Sequence, residues 1–354
     1  MYKKFLLLPL VALICACSQE ISQDITTSPI QDKSIGTGQT DLTDAALIAD
    51  IVLSSQHPQT LPTYAPLTLN GDQTAEVIKP MISQDLSKIA VESFPDGSNL
   101  YTSPTSDRSA VIGLDPLTLF ISLTETQYIE LFSYPQLMTD LQVKHPETDY
   151  LLASDLSFTK EEAGRLITDF LSNLGISYEL DFRFTTLRQD AVEKISDQDI
   201  IVESEKNLDQ AISLPYDFYY VLVTPKIQQV PLFQDKILGF PELQTSVLPP
   251  VLEFIVNEAG IQSFYIQGIF PDSKAPVTDQ DKTMDLQGLI EKLPTLLPSS
   301  LDGTETQVDQ VFPVYIPQRK QDQLSIIPVW QVNFQQGDSQ SYLLVDPVTY
   351  QEVE

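Results

Sequence analysis

Thr159-Lys-Glu-Glu-Ala-Gly-Arg-Leu-Ile-Thr-Asp-Phe-Leu-Ser-Asn-Leu174, then Gly175, then Ile176-Ser-Tyr-Glu-Leu-Asp-Phe-Arg-Phe-Thr-Thr186 is the stretch that decides the fold class. Thr159 followed three residues later by Glu162 is a capping box, in which each side chain satisfies an otherwise orphaned backbone N–H at a helix start. Ala163, Leu166, Ile167, Phe170, Leu171 and Leu174 then recur at helical spacing and make one apolar face. Gly175 stands where a left-handed residue ends a helix. Beyond it the period changes to two, with Tyr178, Leu180, Phe182 and Phe184 alternating against polar residues as in a half-buried strand. A helix, a glycine and a returning strand make an α+β unit.

Working outward toward the C-terminus, Phe218–Val223 reads as a buried strand. Val251–Glu258 and Ile261–Phe270 flank Ala259-Gly260 as a hairpin. Leu286, Leu289, Ile290, Leu293 and Leu297 predict a second amphipathic helix. Three strands close the chain, Gln310–Ile316, Ser325–Phe334 and Ser341–Val345, with Gln336-Gly-Asp338 turning between the last two. Residues 151–354 are therefore expected to be α+β: antiparallel sheets each packed by an amphipathic helix, in two helix-plus-sheet units.

Toward the N-terminus, residues 45–150 predict a strand-rich N-terminal lobe. Thr63–Asp72 looks extended and ends in an Asn70-Gly71 turn signal. A helix is expected near Ala75–Asp85 and a strand over Lys88–Phe94. Pro95-Asp-Gly97 marks a turn, and Ser109–Asp115 and Leu117–Leu123 are β-rich. Before Asp44 the chain changes character. Ser18–Asp44 is rich in Ser, Thr, Gln, Asp and Gly without an apolar period, so it reads as a flexible tether, with residues 17–44 forming the tether as a whole.

At the start, Lys3 and Lys4 precede an apolar run from Phe5 to Ala16, shorter than the ~20 residues that a spanning helix needs. This has the proportions of a secretory signal over residues 1–16. Ile14-Cys15-Ala16-Cys17 resembles the lipobox of bacterial lipoproteins. The resemblance implies cleavage before Cys17 and a diacylglyceryl chain on its thiol, and so a lipid-anchored protein on the extracytoplasmic face of the cell membrane. An ordinary signal peptide cut after Ala16 is the alternative. With Cys15 removed, Cys17 is the sole remaining cysteine and no intramolecular disulfide is expected.

The formal net charge is −29, and loss of Lys3 and Lys4 takes it to −31. So acidic a surface repels phosphate backbones, and nucleic acid is not an expected partner. It also stands off anionic headgroups, so the expected membrane contact is the lipid on Cys17 and nothing else. The 16 Phe and 14 Tyr argue against wholesale disorder.

Ala163–Gly175 with its strand, Gly260-Ile-Gln-Ser-Phe-Tyr265, Pro328-Val-Trp-Gln-Val332 and Tyr342-Leu-Leu-Val-Asp-Pro347 together resemble the extracytoplasmic modules grouped with PepSY and the YycH/YycI accessory proteins of Gram-positive cell-wall kinases. That resemblance implies a helix packed on a small antiparallel sheet, twice over, and a role in binding or restraining protein partners. Where those modules end Asp-x-x-Thr-Gly, this chain reads Asp346-Pro-Val-Thr349-Tyr350, without the glycine.

Signals for chemistry are few. His57 and His145 are the two histidines, each followed by proline, and no Gly-x-Ser-x-Gly elbow offers them a serine. One remaining cysteine excludes a Cys/His zinc site. Neither Gly-x-x-x-x-Gly-Lys nor Gly-x-Gly-x-x-Gly occurs. Tyr219, Tyr220 and Trp330 would serve for sugar stacking, or else are strand core. Asp279, Asp281 and Asp285 place oxygen donors at alternating positions, as a calcium loop does. However, Met284 replaces the turn glycine, and the reading favoured for Asp285 is an acidic start to the Leu286 helix. The expected function is a non-enzymatic lipoprotein, without cofactor, acting through contacts with an envelope protein as an accessory or sensor. The alternative is a glycan- or ligand-binding envelope protein, including a weak hydrolase.

Overall fold

The computed structural model describes residues 46–47, 52–53, 58–115, 119–125, 156–190, 216–234, 250–297, 306–320, 323–337 and 339–353. In chain order these form β1 (Ala46–Leu47), β2 (Val52–Leu53), β3 (Thr60–Pro66), α1 (Gly71–Ile82), β4 (Ala90–Ser93), β5 (Asn99–Thr102), β6 (Arg108–Gly113) and β7 (Phe120–Glu125). There follow α2 (Lys160–Asn173), β8 (Glu179–Leu187), β9 (Phe218–Ile227), β10 (Val230–Pro231), β11 (Val251–Asn257) and β12 (Gly260–Gln267). The last elements are β13 (Pro271–Thr283), α3 (Leu286–Leu296), β14 (Thr306–Lys320), β15 (Gln323–Gln336) and β16 (Ser339–Val345). The architecture is α+β, dominated by antiparallel sheet. No helix of the described residues is long and apolar enough to cross a membrane.

Internal contacts divide the chain into two units that interleave along the sequence. Unit 1 comprises the described residues of Met1–Pro66, Gln228–Pro249 and Lys274–Glu354, and unit 2 those of Leu67–Ile227 and Pro250–Ser273. The expected boundary at 150/151 lies outside the described residues.

Unit 2 is built on a sheet ordered β8-β9-β11-β12-β7-β6-β5-β4, antiparallel throughout. Cross-strand partners share a face, so Phe184, Val221, Phe254, Phe264, Leu123, Ala110 and Tyr101 line one side. Both helices lie there, α1 against β5 and β6, and α2 against β8, β11 and β12. Phe170 of α2 meets Phe264 at 4.8 Å and Phe254 edge-on at 6.1 Å between ring centroids. The capping box expected at Thr159 and Glu162 is present, and Gly175 has φ +87°. Gln73 of α1 donates to the backbone carbonyl of Asn173 at the end of α2, joining the two helices at 3.0 Å. The hairpin expected around Ala259-Gly260 is β11–β12, with Gly260 at φ +109°.

The Asn70-Gly71 signal is corrected by the structure. It opens a helix and not a hairpin: Asn70 is the N-cap of α1, and its side chain accepts from the Gln73 N–H at 3.0 Å. Asparagine favours both roles because its short amide bonds readily to nearby backbone. The sequence motif alone does not separate them.

Unit 1 is a seven-stranded sheet, β1-β14-β15-β3-β13, with β16 also on β15 and β2 also on β14. Its spine is the long β14–β15 hairpin, paired from Thr306–Gln336 to Lys320–Gln323. The outer side of β14 is covered piecewise and in parallel, by β1, by β2, and by Leu232 just after β10, which bridges to Tyr315. Both faces are apolar. Val311, Tyr315, Trp330, Val332 and Val345 are buried on one, while Val314, Ile316, Ile327 and Val329 cluster with Phe233 on the other. The strand β13 had no sequence signal. Pro271 and Pro276 break a β reading, yet β13 ends the sheet order, and proline is tolerated at such a rim.

Candidate functional site

The residues singled out from sequence fall in different places. Cys17, His57 and His145 lie outside the described residues. Tyr219, Tyr220 and Trp330 are 0%, 3% and 1% exposed, so none of the three rings is presented for stacking on a sugar. The Tyr219 hydroxyl donates to the Phe158 carbonyl at 2.8 Å and accepts from the Leu156 N–H at 3.0 Å, a core bond that ties down the segment leading into α2.

Asp279 and Asp281 sit on β13, which spreads them along an extended backbone instead of curling them around a point. Asp285 lies beyond the strand as the N-cap of α3. It accepts from the Gly288 N–H at 3.1 Å and from the Tyr350 hydroxyl at 2.8 Å, and these bonds hold its carboxyl below the ordinary Asp value. Among the described residues no group of three or more His, Cys, Asp or Glu side chains could hold a metal ion. The Asp279 side chain is not among those described.

Around Asp285 the C-terminal turn forms a corner of unit 1. Asp346 accepts the N–H groups of Val348 and Thr349 on Oδ1, at 2.9 and 3.0 Å, and the Lys282 ammonium on Oδ2 at 2.5 Å. Lys282 and Asp346 are 16% and 14% exposed, which makes this a largely desolvated ion pair. Burial disfavours the Asp346 charge, but Lys282 and the two N–H groups outweigh it and lower its pKa. Tyr350 takes φ +53°, a left-handed conformation that β-carbon crowding makes unusual for a side-chain-bearing residue. Its hydroxyl lies so close to Gly288 that a β-carbon there would collide with it. Glycine within α3 therefore makes room for the Tyr350–Asp285 bond. Both carboxylate oxygens of Asp285 and of Asp346 accept bonds within this corner, and the Tyr350–Asp285 bond closes the C-terminal turn onto the start of α3.

Unit 2 holds a second polar cluster, which the sequence did not disclose. Arg108 Nε and Nη2 donate to Glu125 Oε1 at 3.1 and 2.9 Å, Tyr216 donates to Oε2 at 3.3 Å, and Arg108 also reaches Gln262. Glu125 and Gln262 are 7% and 5% exposed. Arg108 and Glu125 are cross-strand partners on β6 and β7, 17 positions apart. Only the strand register brings them together.

The rim of the same sheet is different in kind. All four residues of β4 are exposed, Val91 at 51%, and so are Leu86 (53%) and Phe94 (39%) outside the strand.

No family model matches the chain, and no curated protein matches it. Among solved structures it is similar to the crystal structure of an uncharacterized protein from Eubacterium rectale. The TM-score is 0.52 at 14% sequence identity, covering 84% of this chain and 86% of that one. At that identity the likeness concerns the fold.

Proposed function

We propose that this is a membrane-anchored extracytoplasmic lipoprotein, held by a lipid on Cys17, that acts without turnover through protein contacts as an accessory or sensor on an envelope complex. The observation that carries this reading is the N-terminal sequence: a basic start, an apolar run, Ile14-Cys15-Ala16-Cys17, and then a polar tether leading to a folded body. We also propose the finer arrangement implied by the PepSY and YycH/YycI resemblance, in which antiparallel sheets are each packed by an amphipathic helix. In its support, Phe170 of α2 packs on the rings of β11 and β12, and α3 buries Leu289 and Leu293. Tyr350 also keeps a positive φ at the position where those modules carry glycine.

The test is in-cell crosslinking of the full chain followed by mass spectrometry, with Cys17→Ser as the unanchored control. One dominant membrane partner, lost in the control, is the expected result. No enrichment over the control overturns the reading, and binding of glycans would then be measured on the purified full chain.

A further inference from the structure

We propose that the outer edge of β4 is a docking strand that takes an extended, basic and apolar segment of a partner protein as an added strand of the unit 2 sheet. This rests on the protein-contact reading above and specifies where the contact is made and with what chemistry.

The backbone argument comes first. Among the described residues β4 ends its sheet, paired on one side with β5. The Phe94 N–H bonds inward to the Ser98 carbonyl at 2.8 Å. Backbone groups alternate along a strand. Glu92 and Ala90, two and four residues before Phe94, therefore also bond toward β5 in the observed register. Val91 and Ser93 then direct their N–H and C=O groups away from the sheet, where they form a row open to another strand.

The side chains fit the same use. Edge strands are ordinarily blunted by shortness, charge, proline or bulges, and β4 is only four residues long and carries Glu92. This one carries Val91 at 51% exposure, with Leu86 and Phe94 exposed to either side of it along the chain. Of the large hydrophobic residues exposed among the described residues, only Val348 lies elsewhere. Val91 stands on the Tyr101 face, and alternation puts Phe94 on the opposite face with Glu92, so the open edge offers an exposed hydrophobe on each side.

Charge selects the occupant. Asp85, Glu92 and Asp96 flank the strand, Lys88 is paired with Asp85, and the chain as a whole carries −29. A second copy would bring the same acidic rim and the same net charge against this one. A segment alternating Lys or Arg with aliphatic residues would complement both the carboxylates and Val91.

The test uses the purified full chain in detergent and a fluorescein-labelled peptide, Lys-Val-Lys-Val-Lys-Val-Lys, followed by anisotropy, with the Glu-for-Lys peptide as control. Val91→Pro removes an outward N–H while leaving the β4–β5 bonds in place, and Val91→Lys sets a like charge against the peptide. The expected result is saturable binding of the basic peptide, weakened at least tenfold by either variant at unchanged circular dichroism and thermal midpoint. Absence of binding, equal binding of the acidic peptide, or equal binding by wild type and both variants overturns the proposal. So does a concentration-dependent dimer in sedimentation that Val91→Pro abolishes, which would make the occupant a second copy. In-cell crosslinking of the Val91→Pro chain separates the two readings. If the membrane partner is retained in full, the edge assignment fails and the accessory reading stands. If wild type captures no partner, the accessory reading fails by itself.

Discussion

Tyr350 and Gly288 each break a local rule, and each explains the other. A tyrosine at positive φ costs roughly 1 kcal/mol or more in backbone crowding, and a glycine inside a helix costs about 1 kcal/mol relative to alanine. The two meet where the Tyr350 hydroxyl reaches Asp285 through the space a Gly288 side chain would fill. Gly288→Ala is therefore expected to lower the thermal midpoint in the wild-type chain, against its helix propensity. In a Tyr350→Gly background the same change should cost less, because the added carbon then crowds only the Asp285 carboxylate. Equal effects in both backgrounds would show that the two residues are not coupled. The pairing was half-visible in the sequence: Asp285 before an apolar period marks a helix start, but nothing marks Tyr350, 65 positions away, as its partner.

Asp346 offers a pH test at the same corner. Its folded pKa lies below the ordinary Asp value of about 3.9. Its ion pair thus stabilises the fold fully above that value, and the contribution is lost as pH falls through the folded pKa. Asp346→Asn should be less stable than wild type at neutral pH, since it leaves the desolvated Lys282 without its counter-charge. The gap should close as pH drops below about 4. Denaturant midpoints measured from pH 7 to pH 3 check this, and a gap constant across that range would contradict it.

At the scale of the element, α2 was legible because each of its signals is local. The capping box, the apolar face and the terminal glycine all lie within 17 consecutive positions, 159–175. Phe170 is its anchor. Phe170→Ala is expected to cost about 3–5 kcal/mol, as buried aromatic truncations do, while Thr159→Ala, which removes only the cap, should cost about 1 kcal/mol. Urea unfolding of the two variants gives the ratio directly. The hairpin β11–β12 was legible for the same reason. β13 was not, because a rim strand satisfies one side only and tolerates Pro271, Pro276 and its acidic residues without an alternating pattern. The Arg108–Glu125 pair was hidden by register: no spacing rule links positions brought together by antiparallel β6 and β7.

For the whole molecule, strands distant in sequence share sheets. β7 pairs with β12 in unit 2, and β3 pairs with β15 in unit 1. Cutting the chain at 150/151 would separate both pairs. The fragments 45–150 and 151–354, expressed separately, are expected to lack a cooperative thermal transition that the intact chain shows. A sharp transition in either fragment would show that it folds by itself. Composition and periodicity indicated an antiparallel α+β protein, but interleaving depends on which strands choose each other across more than 100 residues, and a single sequence carries no local mark of that choice.

The way the chain enters unit 1 has a mechanical consequence. The first described strands, β1 and β2, are two-residue stitches laid in parallel on the edge of β14. A pull applied from the N-terminal side loads these four residues before it reaches the β14–β15 hairpin. They would part first, paying out the chain between residue 46 and the start of β3 at Thr60, up to roughly 50 Å at full extension. The stitches would act as a mechanical fuse, lengthening the chain ahead of β3 under tension while the other five strands of the sheet stay paired.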